Sequence, residues 1–355
     1  MDDLKRNVND MWEYIRCELP ENLEESALAT GALVRKKGIW SAADLLRVIL
    51  TYGVTDLSLK GVAAWATSVN IADLTGPALF CRVRGARLWL SSLIATILNE
   101  RTTPVLSFGL DVVLVDATVI TGPASKGTDW RLHTEISPVT GQISAIKVTN
   151  YLIGETFENY AVRSGQILVG DRAYALANGI NYVHERGGYV VARANLHAIR
   201  LCRTDRTVFS PVKEQDLVPT IGVAHYDVIV PVPPGRETRS HKTWKLEDAK
   251  EWIPARLLAI RTVKSDVIWV ITTVPQDIAP DKVIMELFRV RWQIELEFKR
   301  LKSLLGIDAL PSRNGPTAES WLLARILAAI LVEKLLNKSG VFSPWGYRLP
   351  RAEQT

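Results

Sequence analysis

The sequence contains few cysteines and no long apolar run. Among its 355 residues are three cysteines, Cys17, Cys81 and Cys202, which lie far apart and form no CxxC pair. We therefore expect inert thiols, with neither a disulfide framework nor a structural zinc site. No stretch reaches the roughly 18 uninterrupted apolar residues of a membrane-spanning helix, so we expect no membrane partner.

The sequence also lacks internal repeats, low-complexity tracts and a secretory signal. Residues 1–25 are charged and have no apolar core, which predicts a cytoplasmic protein. Hydrophobic residues make up 47% and charged residues 23%, as in a globular protein with a substantial core. The net charge of +5 is compatible with a polyanionic partner.

Residues 1 to about 100 have a helical pattern. Ser41 and Asp44 predict a capping box that opens a helix over Ala42–Tyr52. Two further helical segments, Leu57–Ala66 and Gly76–Arg87, flank a break at Ser68–Asn70. The second segment carries Arg82, Arg84 and Arg87, so the pair is interpreted either as a helix-turn-helix-like DNA-binding element or as a plain helical bundle with solvated arginines.

The middle of the chain changes to a strand pattern. Val112–Ile120 is an apolar, β-branched run that predicts a buried strand, and Gln166–Gly170 predicts a second short strand. The segments 131–138 and 142–150 predict a hairpin, as do 255–262 and 266–273. A polar stretch over 155–163 is interpreted as helical, and 281–305 and 319–337 also have helical periodicity.

Each of the first two strands carries one carboxylate. Asp116 lies within the first, and Asp171 directly follows the second. Burying an ionised carboxylate is costly unless it is paired or binds a metal ion. Either Asp could instead be an N-cap or a salt-bridge partner, such as Asp171 with Arg172. Two neighbouring carboxylates repel each other unless a cation such as Mg²⁺ or Mn²⁺ lies between them.

A third acid lies on the helix over 281–305. At about 100° per residue, Phe288, Arg291, Glu295, Lys299 and Lys302 share one arc, beside an apolar stripe. Glu297 lies about 160° from Lys299 and is not chosen. Glu295 could pair with Arg291 and Lys299 as an ordinary surface acid, or complete a metal site while the cations contact phosphates.

These motifs resemble those of bacterial insertion-sequence transposases of the DDE class. Their helix signature is Tyr, two residues, Arg, three residues, Glu, six residues, Lys, which corresponds here to Phe288, Arg291, Glu295 and Lys302. Phe288 replaces the tyrosine, so a hydroxyl contact to DNA is lost. Asp116 in VDAT and Asp171 in GDRAY match the first two acids. The resemblance covers about residues 30–340.

The resemblance implies an α/β fold: an RNase H-like mixed sheet with flanking helices, interrupted by a β-rich insertion, and a helical N-terminal domain. It implies a DNA-binding domain over 1–105, a catalytic core over 106–195 and 275–340, the insertion over 196–274 and a polar tail over 341–355. In relatives an insertion-domain tryptophan can stack on a flipped base, for which Trp244, Trp252 and Trp269 are the candidates here.

The implied activity is cut-and-paste DNA transposition by metal-dependent strand cleavage and strand transfer. Asp116, Asp171 and Glu295 are then the catalytic residues and hold two Mg²⁺ ions, with Mn²⁺ as the alternative. The partners are the terminal inverted repeats of the element and target DNA, bound by a homodimer. The DNA-contacting residues are Arg172, Arg291, Lys299 and Lys302 at the site and Arg82, Arg84 and Arg87 in the N-terminal domain.

Two other functions stay open on the sequence alone. Phe288 and the polar tail that follows Leu336 are compatible with an impaired transposase copy that binds DNA without cutting it. Paired carboxylates also occur in glycosidases, but the cationic arc around Glu295 argues against a sugar substrate.

Overall fold

The computed structural model describes residues 12–100, 110–122, 129–138, 143–235, 244–262, 266–291, 306, 310 and 315–338. Within these residues the helices are α1 Leu23–Ala29, α2 Ala42–Val54, α3 Leu59–Ser68, α4 Gly76–Gly85, α5 Arg87–Asn99, α6 Ala177–His184, α7 Pro211–Glu214, α8 Asp281–Val290 and α9 Gly315–Lys338. The strands are β1 Val112–Ile120, β2 Trp130–Ile136, β3 Ile143–Asn150, β4 Ile167–Gly170, β5 Tyr189–Arg193, β6 Ala224–Val232, β7 Glu251–Arg261 and β8 Val267–Thr272.

All eight strands form one sheet in the order β3-β2-β1-β4-β5-β8-β7-β6. The strands β1, β4 and β5 are parallel to one another, and β2 is antiparallel to both β1 and β3. This half of the sheet confirms the expected RNase H-like α/β fold. The strands β6, β7 and β8 lie within residues 196–274, the range expected for the insertion, and extend the same sheet because β8 pairs with β5.

Helices cover both faces of the sheet, and two apolar cores result. On one face, Leu114 and Val169 pack with the N-terminal helices, α8 and α9. On the other face, Val113 and Leu168 pack with α6 and with insertion residues. Alternate residues of β1 and β4 thus serve opposite cores, which explains why both strands are almost continuously apolar.

The long helix α9 belongs to the core that the N-terminal helices build. It packs against α2, α4 and α5, and Gly53 of α2 lies so close to Ala324 that a Cβ at residue 53 would be 2.8 Å from the alanine methyl. The span Gly315–Leu335 is long and apolar enough to cross a membrane, but 67% of its most apolar window is buried in the protein. Its hydrophobicity is therefore explained by packing between other helices.

The helix boundaries in the N-terminal region follow from local signals. The Ser41 hydroxyl accepts a hydrogen bond from the Asp44 N–H and donates one to the Asp44 carboxylate, which confirms the predicted start of α2. The break between α3 and α4 contains Asn70 at φ 57°, a left-handed conformation that asparagine tolerates better than most residues. The two predicted helices are confirmed within a few residues of their expected limits.

One prediction about secondary structure is wrong. Residues 155–163 are not an α-helix; only Phe157–Asn159 form a single 3₁₀ turn. A tertiary contact explains the irregular conformation of this segment. Phe157 is fully buried, with its ring centroid 5.2 Å from that of Tyr174. The insertion of this side chain into the core holds the segment in an irregular path that local polarity does not reveal.

We expect the replacement Ser41→Ala to lower the free energy of unfolding by about 1 kcal/mol, because α2 then loses its N-cap acceptor. Urea unfolding followed by circular dichroism measures the change. Ser41→Thr retains a hydroxyl that can accept from the Asp44 N–H and donate to the Asp44 carboxylate, and is the matched control, with an expected loss of only about a few tenths of a kcal/mol. Equal losses in both variants would contradict the capping role.

Candidate active site

The sheet brings Asp116 and Asp171 to neighbouring strands. In the parallel pair β1–β4, Leu114 lies opposite Val169, so Asp116 is in register with the position that Asp171 occupies just beyond β4. Asp171 is the residue before a 3₁₀ turn over Arg172–Tyr174 and its side chain is 42% exposed. The two carboxylates therefore lie at the edge of the sheet where parallel strands end.

The Asp116 carboxyl is in an unfavourable place for a charge. Its pKa is raised to about 7, mainly by burial and to a smaller extent by the nearby carboxylates of Glu155 and Asp171, against the lowering effects of the Ala117 N–H and Arg291. The Ala117 N–H donates to Asp116 Oδ1 at 2.8 Å. Burial and two nearby acids disfavour the charged form of this carboxyl, which a bound cation would favour.

Arg291 is the cation that the structure brings to these acids. Its side chain is 8% exposed and its Nη2 lies 3.8 Å from Asp171 Oδ1. The guanidinium also lies over the Phe288 ring, 5.7 Å from the ring centroid. Phe288 and Arg291 therefore share a face, as the helical projection predicted, and the phenyl ring supports the arginine without a hydroxyl.

Two buried tyrosines hold the backbone at the first acid. The Tyr160 hydroxyl donates to the Asp116 carbonyl oxygen at 2.8 Å and lies 2.9 Å from the Tyr174 hydroxyl, which donates to it. Tyr174 belongs to the 3₁₀ turn after Asp171. The pair thus links the strand that carries Asp116 to the turn that carries Asp171.

Glu155 is an acid at this edge that the sequence interpretation missed. Burial raises its pKa, with a lowering effect of Arg131 and a raising effect of Asp171. Its Oε1 lies 3.6 Å from Arg131 Nε. The signal that could have identified Glu155 is its position five residues after β3. Because β3 runs parallel to β1, both strands end at the same edge of the sheet.

The other predicted contact residues lie in different settings. Arg172 is exposed, with Nη2 3.5 Å from Asn195 Oδ1. Glu295, Lys299 and Lys302 lie outside the described residues. Within the described part of the chain, no three His, Cys, Asp or Glu side chains are close enough to hold one metal ion.

The three N-terminal arginines differ in what they contact. Arg82 donates to the carbonyl oxygens of Arg35 and Lys37. Arg87 lies 3.4 Å from Glu319 of α9. Arg84 is exposed near the end of α4. Two of the three predicted DNA contacts thus also have intramolecular partners.

The insertion tryptophans divide into one core residue and two stacked residues. Trp269 is buried, with its ring centroid 5.8 Å from that of Tyr226. Trp244 and Trp252 each have a guanidinium over one face, from Arg200 at 4.6 Å and Arg206 at 4.9 Å. Trp269 is therefore a packing residue.

Comparisons with known proteins show the family to which the chain belongs. The family model described as a transposase DDE domain matches residues 107–331. The transposase for insertion sequence element IS421 of Escherichia coli is 30% identical over 361 residues, covering 95% of this chain and 96% of that protein. InsL, named as a transposase for insertion sequence element IS186A of Escherichia coli strain K12, is 30% identical over 360 residues with the same coverage.

A solved structure of the piggyBac transposase synaptic complex with hairpin DNA superposes with a TM-score of 0.48 and 10% identity, covering 94% of this chain and 75% of that one. The family assignment rests instead on the domain match and on the relatives that span almost the whole chain. The chain belongs to the bacterial insertion-sequence transposases with a DDE domain, and is thus a polynucleotidyl transferase.

Proposed function

We propose that this transposase cleaves DNA at the ends of its element and joins the freed ends to target DNA, with Asp116, Asp171 and Glu295 as the catalytic acids. The observation that carries the proposal is the meeting of Asp116 and Asp171 at one edge of two adjacent parallel strands, with Arg291 against Asp171. Glu295 is added from the helix signature that begins at Phe288.

The donor set suits a hard divalent cation. Asp116 and Asp171 offer only oxygen atoms, and their mutual repulsion raises the pKa of the buried Asp116 carboxyl beyond the effect of burial. With Glu295 they would hold Mg²⁺ or Mn²⁺, as two ions. Such ions lower the pKa of a bound water and stabilise the charge on a leaving oxygen.

The reaction needs no covalent link between protein and DNA. In cleavage, water attacks the phosphorus and the 3′ oxygen leaves, which produces a 3′ hydroxyl at the end of the element. In joining, that hydroxyl attacks a phosphodiester of another strand, and a second 3′ oxygen leaves. The number of phosphodiester bonds is conserved in the joining step, so no external energy source is required.

Cations near the acids would position the phosphates. Arg291 orients Asp171, since its guanidinium is held between that carboxylate and the Phe288 ring. Arg172 follows Asp171 and its side chain is exposed to solvent, so it could contact a phosphate. Lys299 and Lys302 are assigned the same role from their positions on the helical arc.

Binding of element ends away from the acids is assigned to the N-terminal region. Arg35, Lys36 and Lys37 are consecutive and exposed, and Arg82 holds their backbone. Lys36 pairs with Glu24 at 2.7 Å. Arg35 and Lys37, together with the exposed Arg84, would therefore be the residues that contact phosphates. Arg82 would act by holding this loop, and Arg87 by joining α5 to α9.

The proposal is tested with purified protein and a duplex that contains the inverted repeat flanking the gene. We expect Mg²⁺-dependent nicks at the element boundary that leave a 3′ hydroxyl, and their loss when EDTA is added. A duplex with a scrambled terminal repeat is the control and should stay intact. A gel shift without Mg²⁺-dependent cleavage would instead identify a binding-only copy, and would refute the catalytic assignment.

A further inference from the structure

Three consecutive large apolar residues are exposed at the end of β3. Tyr151, Leu152 and Ile153 are 60%, 72% and 40% exposed. Elsewhere in the described part of the chain, large exposed apolar side chains stand singly in sequence. We call these three residues the apolar tip. Such a run in water usually marks a surface that contacts another molecule.

Hydrogen bonds fix the backbone of the apolar tip. The Asn150 carboxamide oxygen accepts from the Leu152 N–H at 3.0 Å, and the Asn150 carbonyl accepts from the Ile153 N–H at 3.3 Å. Arg131 donates to the Ile153 carbonyl oxygen. Asn159 donates to the Gly154 carbonyl oxygen at 2.8 Å. The tip is thus preorganised, which lowers the entropic cost of using it for binding.

The apolar tip lies beyond the carboxyl end of β1, the strand that carries Asp116. Asn150 lies opposite Trp130, and Trp130 lies opposite Ile120, the last residue of β1. Ile120 is four residues beyond Asp116, so at about 4.8 Å between strands and about 3.3 Å per residue the end of β3 lies roughly 16 Å from Asp116. The chain then turns back toward these acids, since the Glu155 carboxylate contributes to the raised pKa of Asp116 and the Asp171 carboxylate to that of Glu155.

Arg131 links the tip to this edge. The same guanidinium that donates to the Ile153 carbonyl lies 3.6 Å from the Glu155 carboxylate. A movement of the tip relative to the acids would therefore disturb a partly buried ion pair, in which Arg131 is 16% and Glu155 29% exposed. The tip and the acids are expected to contact the same ligand.

We propose that the apolar tip inserts its side chains against the bases that flank the cleaved phosphodiester and unstacks them. This inference rests on the proposed function and adds a DNA contact to it. Apolar side chains that enter a duplex partly unstack a base step, at a cost of about a few kcal/mol per step. Tyr151 and Leu152 are the wedge, because they are the most exposed of the three.

Duplex DNA fits the tip better than a second protein chain does. A protein partner would cover three adjacent apolar side chains with an apolar surface, whereas the tip is joined to a charged pair, because Arg131 donates to the Ile153 carbonyl oxygen and lies beside Glu155. A phosphodiester bound at Asp116 and Asp171 belongs to a duplex whose neighbouring base pairs, about 3.4 Å apart, would extend from the acids toward the tip. Those bases present the flat apolar faces that an exposed tyrosine stacks on.

The test uses Asp116→Asn protein, so that the DNA stays uncut, and a terminal-repeat duplex with 2-aminopurine beside the boundary phosphate. The fluorescence of this base rises when it unstacks. We expect a rise of about threefold or more on binding, which the double replacement of Tyr151 and Leu152 by alanine removes. DNA affinity, measured by anisotropy, should change by less than about tenfold, because phosphate contacts supply most of it.

The matched control is Ile221→Ala, which removes another apolar side chain that is 92% exposed, in the insertion. It should keep the full fluorescence rise. The inference is overturned if the tip variant keeps the rise, or if bound DNA gives no rise in the parent protein; DNA binding then still supports the proposed function. Protein that does not bind the duplex at all refutes both proposals.

A tip that instead pairs two copies of the chain would also overturn the inference. In that case the double variant changes the sedimentation coefficient of the free protein, while the fluorescence rise per bound DNA is unchanged. Both measurements use the full chain, and circular dichroism of the variants checks that each is folded.

Discussion

Replacement of Asp116 or Asp171 by alanine is expected to lower the rate of Mg²⁺-dependent cleavage of element-end DNA by about 10³-fold or more, since metal ions contribute several kcal/mol to such reactions. Gel assays of nicking under single-turnover conditions measure the rate. The physical reason is that Asp116 and Asp171 are in register on adjacent parallel strands, where both would supply oxygen ligands to the same cations.

The matched control is Asp111→Ala at the opposite end of β1. Asp111 pairs with Arg163 at 3.0 Å, and both side chains are at least 32% exposed. We expect its cleavage rate to stay within about twofold of the wild type, because exposed ion pairs contribute little. A wild-type rate in either the Asp116 or the Asp171 variant would show that the acids were assigned wrongly.

Glu295 and Glu297 form a second matched pair on the sequence alone. At about 100° per residue, a helical projection of the sequence places these two positions about 160° apart. Glu295→Ala is expected to abolish cleavage, whereas Glu297→Ala should retain it. The reverse result would move the third acid to Glu297.

Metal binding provides a readout that is independent of cleavage. In metal-free buffer, the buried Asp116 carboxylate is costly because burial raises its pKa to about 7. Asp116→Asn is therefore expected to melt at a temperature equal to or above that of the wild type near pH 8. Added Mg²⁺ should raise the melting temperature of the wild type and have little effect on the variant, since ligand binding stabilises only a protein that retains its site.

The replacement Arg256→Met is expected to lower the free energy of unfolding by about 3–5 kcal/mol, the cost of removing one partner of a buried ion pair. Arg256 lies on β7, and its guanidinium is 7% exposed. It donates to the carbonyl oxygens of Val274 and Ala279 and to the carboxylate of Asp281. These acceptors lie on the segment that leaves β8 and begins α8.

The position of Arg256 also predicts a loss of activity. Asp281 is the first residue of α8, the helix that carries Phe288 near its end and leads directly to Arg291. His225 of β6 approaches the same carboxylate, with Nδ1 2.7 Å from Asp281 Oδ2. The insertion strands thus hold the start of the helix that brings Arg291 to Asp171, so cleavage should fall together with stability.

Urea and thermal unfolding of Arg256→Met measure the change, with Arg163→Met as the control. Arg163 forms an exposed ion pair with Asp111, and its loss is expected to cost less than about 1 kcal/mol. Arg256→Lys should recover only part of the stability, because an ammonium group cannot reach three acceptors in the way that a planar guanidinium does. Equal stability of Arg256→Met and Arg163→Met would contradict the anchoring role.

The elements with strong local signals were predicted well. The limits of β1, Val112–Ile120, match the apolar run, and Asp171 follows β4 as expected. Both hairpin pairs are confirmed as β2–β3 and β7–β8. Alternating or continuous apolar residues and helix caps act within a few positions of one another, so they are visible in a single sequence.

The elements that depend on distant contacts were not predicted. The segment 155–163 is irregular because Phe157 is buried under Tyr174. The link from Tyr174 through Tyr160 to the Asp116 backbone joins three separate segments of the chain. The approach of Glu155 to the acids depends on the return of the chain after β3. None of these contacts leaves a periodic pattern.

The sequence by itself determined the two strand acids, the spacing of Phe288, Arg291, Glu295 and Lys302, and the α/β class, because each is a local arrangement of residue types. Only the tertiary structure decided that Asp116 and Asp171 meet, since strand order and register set which carboxylates become neighbours. It also decided that Arg82 binds a loop carbonyl and that Tyr151, Leu152 and Ile153 remain exposed. Exposure and partners depend on what the rest of the chain covers, and no local pattern of residues contains that information.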